Sequence, residues 1–197
     1  MTSGKYANFY EEAPTYSAAI TALEDKECPE QVVADFLSWK IWLADYDDHA
    51  GDRLSPYSYL LSAGIDNRVL SSGALDQIFN SQIETIAEEL EEFEGRGFNM
   101  ETNELVEGCF CGLLEQENLS SETIGKFLKS IEKASKVQSD LRDSGTAEEI
   151  HFVITFGWYA QIFEAIAAHP NSTKEQKDKC VELSKWMKTK EAEAEED

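Results

Sequence analysis

The chain has 197 residues, of which 42% are hydrophobic and 11% aromatic, a composition that excludes a disordered polymer and suffices for a core without disulfide or metal support. Its 39 Asp and Glu residues outnumber 17 Lys and Arg residues, so the formal net charge is −22. Because phosphates and anionic lipids carry the same sign, we expect no direct binding to nucleic acid or membranes, and we expect basic proteins as partners.

The first half of the chain predicts short helices separated by proline and glycine. A helix is expected from Tyr16 to Leu23, and a second one follows Pro29, which suits a helix start. Ser55 and Pro56 open a third helix through Leu61, which Gly64 is expected to end. The second helix is expected to continue to Tyr46, because apolar residues recur every three or four positions, at Val32, Phe36, Trp39, Leu43 and Tyr46.

The most regular helical pattern follows Gly73 and is expected to end at Gly95. Its apolar residues are spaced by three or four positions, which predicts one buried face: Leu75, Phe79, Ile83, Ile86, Leu90 and Phe93. A rotation of 100° per residue places four glutamates on the opposite face. We call them the glutamate ridge: Glu84, Glu88, Glu91 and Glu92.

The second half predicts further helices, one over Glu101–Glu115 and one beginning at Ser121 with Ile124, Phe127, Leu128 and Ile131 inward. Thr146 to Glu149 forms a capping-box pattern that opens the most apolar segment. We expect a central helix near residues 148–168, with a buried strand from Phe152 to Phe156 as the alternative. A last helix is expected from Thr173 to Lys190, followed by a disordered acidic tail at 191–197.

These patterns predict an all-α protein of about seven to nine helices, by spacing alone. We expect one domain over residues 1–190, and a subdivision near 96–99 stays open. No signal peptide or membrane span is recognisable, and four cysteines without a secretion signal suggest free thiols. A cytoplasmic location is therefore expected.

Charge is unevenly distributed along the sequence. Between Asn8 and Asp52 there are 11 Asp or Glu and 2 Lys, and between Glu84 and Glu117 there are 11 Glu and one Arg. Positive charge prevails only in two late segments, from Ser120 to Arg142 and from Ser172 to Lys190. Two alternatives stay open: the late lysines neutralise the acidic helices, or the glutamate ridge is exposed as an array that resembles a nucleic-acid backbone.

Two further groups of residues are candidate sites. The loop carboxylates Asp45, Asp47, Asp48 and Asp52 offer the oxygen ligands that Mg²⁺ and Ca²⁺ prefer, although their spacing departs from the EF-hand pattern. Trp186 lies at the edge of an apolar stripe on a lysine-rich helix, where tryptophan is a frequent interface anchor. No catalytic motif is recognisable, so we predict no catalytic residue and no cofactor.

The leading hypothesis is a non-enzymatic binding protein that inhibits or sequesters a basic, nucleic-acid-binding protein. An immunity protein or a phage anti-CRISPR would act in this way, with the glutamate ridge and Trp186 as contacts. One alternative is a helical scaffold or homo-oligomer joined through the apolar stripe of residues 75–93. The other is a metal-dependent hydrolase built on Asp45, Asp47, Asp48 and Asp52.

Overall fold

The computed structural model describes residues 5–45, 56–65, 68–92, 110–143 and 156–196, apart from some side chains within the helices. These ranges contain eight α-helices and one 3-10 turn and no strand, so the all-α prediction is confirmed. The elements are the 3-10 turn Ala7–Tyr10, α1 (Tyr16–Glu24), α2 (Glu30–Leu37), α3 (Pro56–Ile65), α4 (Ser72–Glu92), α5 (Phe110–Leu114), α6 (Ser121–Asp143), α7 (Phe156–Ala168) and α8 (Lys174–Glu196).

Side chains satisfy the free backbone groups at both ends of α1. The Thr15 hydroxyl accepts the Ala18 N–H at the start of the helix. At its end, the Arg68 guanidinium donates to the carbonyl oxygens of Leu23 at 2.5 Å and Asp25 at 3.2 Å. Arg68 thereby ties the connection before α4 to the end of α1. The first helix prediction is confirmed within one residue.

The second helix is shorter than its apolar spacing predicts. α2 ends at Leu37, and Trp39 has a left-handed φ of 59°. The Lys40 N–H donates to the Asp35 carbonyl at 2.8 Å and the Trp39 N–H donates to the Phe36 carbonyl at 3.2 Å, which is the Schellman pattern that ends a helix. The prediction of a helix to Tyr46 was wrong from Ser38 to Asp45, although Leu43 is still buried.

α3 ends at Ile65, so the predicted helix end at Gly64 is confirmed within one residue. A Cβ atom at Gly64 would stand 3.1 Å from Leu37 Cδ1 and 3.3 Å from Val33 Cγ1. The glycine is therefore explained by the close approach of α3 to α2, which it permits. α3 packs on both α1 and α2, and α2 also packs on α4.

The two halves of the chain meet where α4 packs on α6. The ring centroids of Phe79 and Phe127 are 5.0 Å apart, and those of Phe110 and Phe127 are 4.5 Å apart. The predicted helix over the 75–93 stripe is confirmed as α4, with Leu75, Phe79 and Ile86 buried. The inward residues predicted for α6 are all buried as well, namely Ile124, Phe127, Leu128 and Ile131.

The C-terminal part is a hairpin of α7 and α8 that packs on α6. α7 is the described part of the predicted central helix, and it buries Tyr159, Ile162, Phe163 and Ile166. α8 continues to Glu196, beyond the predicted end at Lys190. The segment from residue 191, which we predicted to be disordered, is helical in the structure as far as Glu196. Alanine and glutamate favour helix, and Lys190 reaches the carboxylate of Glu193 at 3.4 Å.

Several predictions fall on residues outside the described ranges. They concern the helix over 101–109, the capping box at Thr146, the alternative strand over 152–155, and the subdivision near 96–99. Within the described ranges, the buried apolar residues from Tyr6 to Met187 form a single connected core. None of the described helices has the length and apolar character needed to cross a membrane.

Candidate protein-interaction surface

The glutamate ridge lies on α4, whose backbone is helical to Glu92. Glu84 is exposed, on the side opposite the buried Leu75 and Phe79. At 1.5 Å per residue, the ridge from Glu84 to Glu92 spans about 12 Å. The side chains of Glu88, Glu91 and Glu92 lie outside the described residues, so their exposure stays a prediction.

The predicted metal ligands are described only at Asp45. Its Oδ1 accepts the Tyr16 N–H at 2.7 Å, so this carboxylate joins the 38–45 segment to the start of α1. Asp47, Asp48 and Asp52 lie outside the described residues. Among the described residues, no three His, Cys, Asp or Glu side chains are arranged to hold a metal ion. The metal site stays a prediction.

Trp186 is half-buried on α8 and packs against the core. Its neighbours Leu183 and Met187 are buried, whereas Lys185 and Lys188 are exposed. The indole therefore has one edge in the core and one toward a lysine-rich surface, as its position at the margin of the apolar stripe indicates. Its role as a contact residue stays a prediction.

Lysines of α6 and α8 form ion pairs with carboxylates of α6, α7 and α8. In α6, Lys126 binds Glu122 at 2.9 Å, and Glu132 accepts from both Lys136 and Lys179. Lys188 of α8 binds Glu164 of α7, and Lys190 binds Asp143 of α6. Two further pairs lie in the N-terminal half, Lys5 with Asp25 and Lys40 with Asp35.

The ion pairs between described residues therefore segregate into two groups. No pair in this set joins a lysine of α6 or α8 to a carboxylate before residue 93. Several exposed acids of the N-terminal half have no cation within ion-pair distance in the described part of the chain: Glu11, Glu12, Glu24, Glu27 and Glu84. The contact of α6 with α4 combines the Phe79–Phe127 packing with hydrogen bonds from Ser120 and Thr123 to Asp76.

Hydrogen bonding stabilises the charged forms of several carboxylates. The Lys5 ammonium and then the Tyr6 hydroxyl hold the pKa of Asp25 far below its ordinary value. Lys188 and Ser184 lower the pKa of Glu164. Partial burial opposes ionisation of Glu132, but its bonds to Lys136 and Lys179 prevail and lower its pKa. All three groups carry negative charge at neutral pH.

Asp35 is the centre of a buried polar network that the sequence did not indicate. Its side chain is 8% exposed and accepts hydrogen bonds from Tyr10 at 2.7 Å and from Gln31 and Gln77 at 2.9 Å. The network ties the 3-10 turn to α2 and α4. A carboxylate with this many donors is a structural anchor at the end of α2, and it also faces the Lys40 ammonium at 3.7 Å.

An exposed aromatic pair lies immediately after α2. The rings of Trp39 and Trp42 are 5.8 Å apart between centroids and tilted by 30°. Trp42 is 60% exposed, whereas Trp39 is partly buried against the core. The predicted helix from Pro29 to Tyr46 would include both tryptophans, three residues apart. The turn at Trp39 removes Trp42 from that helix and places it on the surface.

His169 follows the last residue of α7 and connects two loops. It is buried, its Nδ1 accepts the Asn171 N–H at 3.1 Å, and its Nε2 lies 3.2 Å from the Gln116 carbonyl oxygen. The sequence does not indicate either partner.

Comparisons with models of protein families, with curated proteins and with solved structures gave no match for this chain. No relative therefore assigns a role to any of these residues.

Proposed function

We propose that this chain is a non-enzymatic binding protein that inhibits or sequesters a basic, nucleic-acid-binding protein. An immunity protein against a nuclease toxin or a phage anti-CRISPR protein would act in this way. Its acidic helical surface would occupy the cationic groove that normally holds a nucleic-acid backbone. The glutamate ridge supplies the centre of the proposed contact surface.

The observation that carries this proposal is the segregation of the ion pairs. Five lysines of α6 and α8 are engaged by Glu122, Glu132, Glu164 and Asp143, and no described ion pair joins these two helices to the exposed acids of the N-terminal half. A surface with unneutralised carboxylates attracts a basic partner and accelerates encounter at low salt. The alternative in which late lysines neutralise the acidic helices finds no support among the described ion pairs.

The spacing of the ridge also supports the proposal. Carboxylates three and four residues apart on a helix are separated by about 6 Å, which is comparable to the separation of backbone phosphates. A cationic groove that recognises phosphates by charge and spacing can therefore accept such a helix. The acidic protein would then compete directly with nucleic acid for the groove.

The scaffold alternative lacks a free apolar face on the described part of α4. Leu75, Phe79 and Ile86 are fully occupied in the core. These three residues are therefore not available to pack against a partner helix. Light scattering at micromolar concentration would address this alternative directly.

The first experiment is an affinity capture from the native host, eluted with rising NaCl and identified by mass spectrometry. We expect a basic, nucleic-acid-binding protein that is released by salt and displaced by added DNA or RNA. Recovery of partners that resist salt, or of the chain alone, would contradict the proposal.

The contact surface is then tested with two matched variants. The first replaces Glu84, Glu88 and Glu91 by lysine, and the second makes the same charge change on α8 at the exposed residues Glu175, Asp178 and Glu182. We expect the ridge variant to bind the captured partner at least about tenfold more weakly at 0.1 M salt, through a slower association. Equal losses of affinity in both variants would show that only net charge matters. No loss in either variant would exclude the glutamate ridge from the contact surface.

A further inference from the structure

Trp42 is the most exposed large aromatic side chain in the described part of the protein, at 60%. Its neighbours in sequence, Ile41 and Leu43, are both buried. Alternation of buried and exposed residues is the pattern of an extended segment anchored on one side. The two buried neighbours therefore fix the backbone so that the indole of Trp42 points outward.

The segment that carries Trp42 is held at both ends. Before it, the Lys40 N–H bonds to the Asp35 carbonyl, and after it the Ala44 N–H donates to the Pro14 carbonyl at 2.8 Å. The Asp45 carboxylate then accepts the Tyr16 N–H. These bonds hold the segment against the start of α1, so the exposed indole sits on a fixed platform.

Trp39 supports one side of the exposed indole. Its ring lies 5.8 Å from that of Trp42, and its backbone adopts the left-handed conformation that a bulky residue rarely takes. A glycine would adopt this turn without strain. A tryptophan here, at the expense of backbone strain, is the kind of outlier that points to a functional role for the ring.

The stretch of sequence that includes this aromatic pair is acidic. Residues 8–52 contain 11 Asp or Glu and only two lysines. Of these lysines, Lys40 is the one beside Trp39, and its ammonium lies 3.7 Å from Asp35. The exposed Glu11 and Glu12 follow Tyr10, whose hydroxyl also binds Asp35. An exposed indole face on a protein of net charge −22 favours a cation, because the ring quadrupole and the net charge of the protein attract the same sign.

We infer that Trp42, supported by Trp39, forms a binding site for an arginine side chain of the basic protein partner. The guanidinium would stack on the exposed indole face, and the net negative charge of the protein would favour its approach. This inference rests on the proposed function, since it specifies how the basic partner is contacted. It adds a site that is distinct from the glutamate ridge of α4.

The test uses a blocked peptide of alternating arginine and glycine, titrated into the full chain and followed by calorimetry and tryptophan fluorescence. Trp42→Leu keeps an apolar side chain but removes the ring, and Trp42→Phe keeps a smaller ring. At about 0.15 M NaCl we expect Trp42→Leu to weaken binding about two- to fivefold, with Trp42→Phe between it and the wild type.

Two controls make the outcome specific. Trp158→Leu removes a half-buried indole from α7, which is part of no proposed contact surface, and should leave the affinity unchanged. Melting curves verify that each variant is folded. A peptide in which neutral citrulline replaces arginine should lose binding, because it retains the planar shape without the charge. Equal binding of the citrulline peptide would overturn the inference.

The possible failures of the two proposals are distinguishable. If the arginine peptide binds and Trp42→Leu has no effect, the arginine site is wrong while attraction of basic partners stands. If the peptide fails to bind the wild type even at about 0.01 M NaCl, where charge attraction is barely screened, the proposed function fails and the arginine site fails with it.

Discussion

Trp39 combines a costly backbone conformation with a defined set of compensating contacts. Left-handed φ and ψ angles cost an L-residue roughly 1–2 kcal/mol. The offset comes from the two hydrogen bonds that end α2, to the carbonyls of Phe36 and Asp35, and from packing of the partly buried ring. The strain is local to one residue, so it can be measured by substitution at that residue.

We predict that Trp39→Gly is more stable than Trp39→Ala by about 1 kcal/mol. Both variants lose the indole, so the difference between them isolates the backbone, and only the alanine retains the left-handed strain. Both should be less stable than the wild type, because the packing of the ring is lost. Urea unfolding followed by circular dichroism measures the three free energies.

The usual order, with alanine more stable than glycine, would show that the turn relaxes when the indole is removed. Ser38→Gly against Ser38→Ala serves as the control pair, because Ser38 has a negative φ of −111°. There, glycine should confer no advantage over alanine, since an L-residue adopts that angle without strain.

The side-chain roles that the sequence missed depend on contacts between distant segments. The two hydrogen-bond partners of His169 lie in different loops, at Gln116 and Asn171. Asp35 was one acid among many, and only the packing of the 3-10 turn and α4 around it reveals the buried network. The spacing of residues along the sequence does not indicate such distant partners.

Among the elements, the amphipathic helices were predictable and the shorter connections were not. α4 and α6 are long and bury a regular stripe, so spacing alone identified them. α2 failed because Trp39 and Leu43 continued the helical spacing while the chain had already turned at Ser38. A stripe predicts which residues are buried more reliably than the conformation that buries them.

Gly64 shows that packing between elements can give a residue a role that its sequence position does not indicate. A glycine near a helix end predicts a stop, and α3 does end one residue later. Gly64 also allows close contact with Leu37 and Val33 of α2. Both of those side chains are fully buried, so they have little freedom to yield. The effect of a substitution at Gly64 on stability should therefore depend more on side-chain size than on helix propensity.

We predict that Gly64→Ala destabilises the fold, by up to about 2 kcal/mol. Alanine gains roughly 1 kcal/mol in helix propensity, but overpacking a closed contact costs about 1–3 kcal/mol. The matched control is Gly73→Ala in the first turn of α4, where nothing lies within 4 Å of the new Cβ. That variant should gain stability by a few tenths to about 1 kcal/mol. Thermal unfolding of both variants tests the contrast, and a stabilised Gly64→Ala would mean that α3 can move away from α2.

At the scale of the whole molecule, the net charge of −22 acts on the protein itself as well as on its partners. Unneutralised carboxylates repel each other and destabilise the folded state. In the described ion pairs of α6 to α8 the lysine side chains are at least 43% exposed, apart from Lys190 at 18%. Exposed pairs of this kind contribute about 0–1 kcal/mol each. Screening of this repulsion should therefore dominate the response to salt. Added salt should stabilise the folded state and weaken binding to a basic partner.

We predict that the melting temperature rises between about 0.01 and 0.2 M NaCl, because the Debye length falls from roughly 30 Å to below 8 Å and screens the repulsion. Over the same range, binding to a basic partner should weaken, since screening also reduces attraction. The lysine variant of Glu84, Glu88 and Glu91 has less net negative charge and should show a smaller rise. A melting temperature that falls with salt would mean that the ion pairs outweigh the repulsion. The acidic surface would then be compensated internally, and the electrostatic basis of the proposed function would be lost.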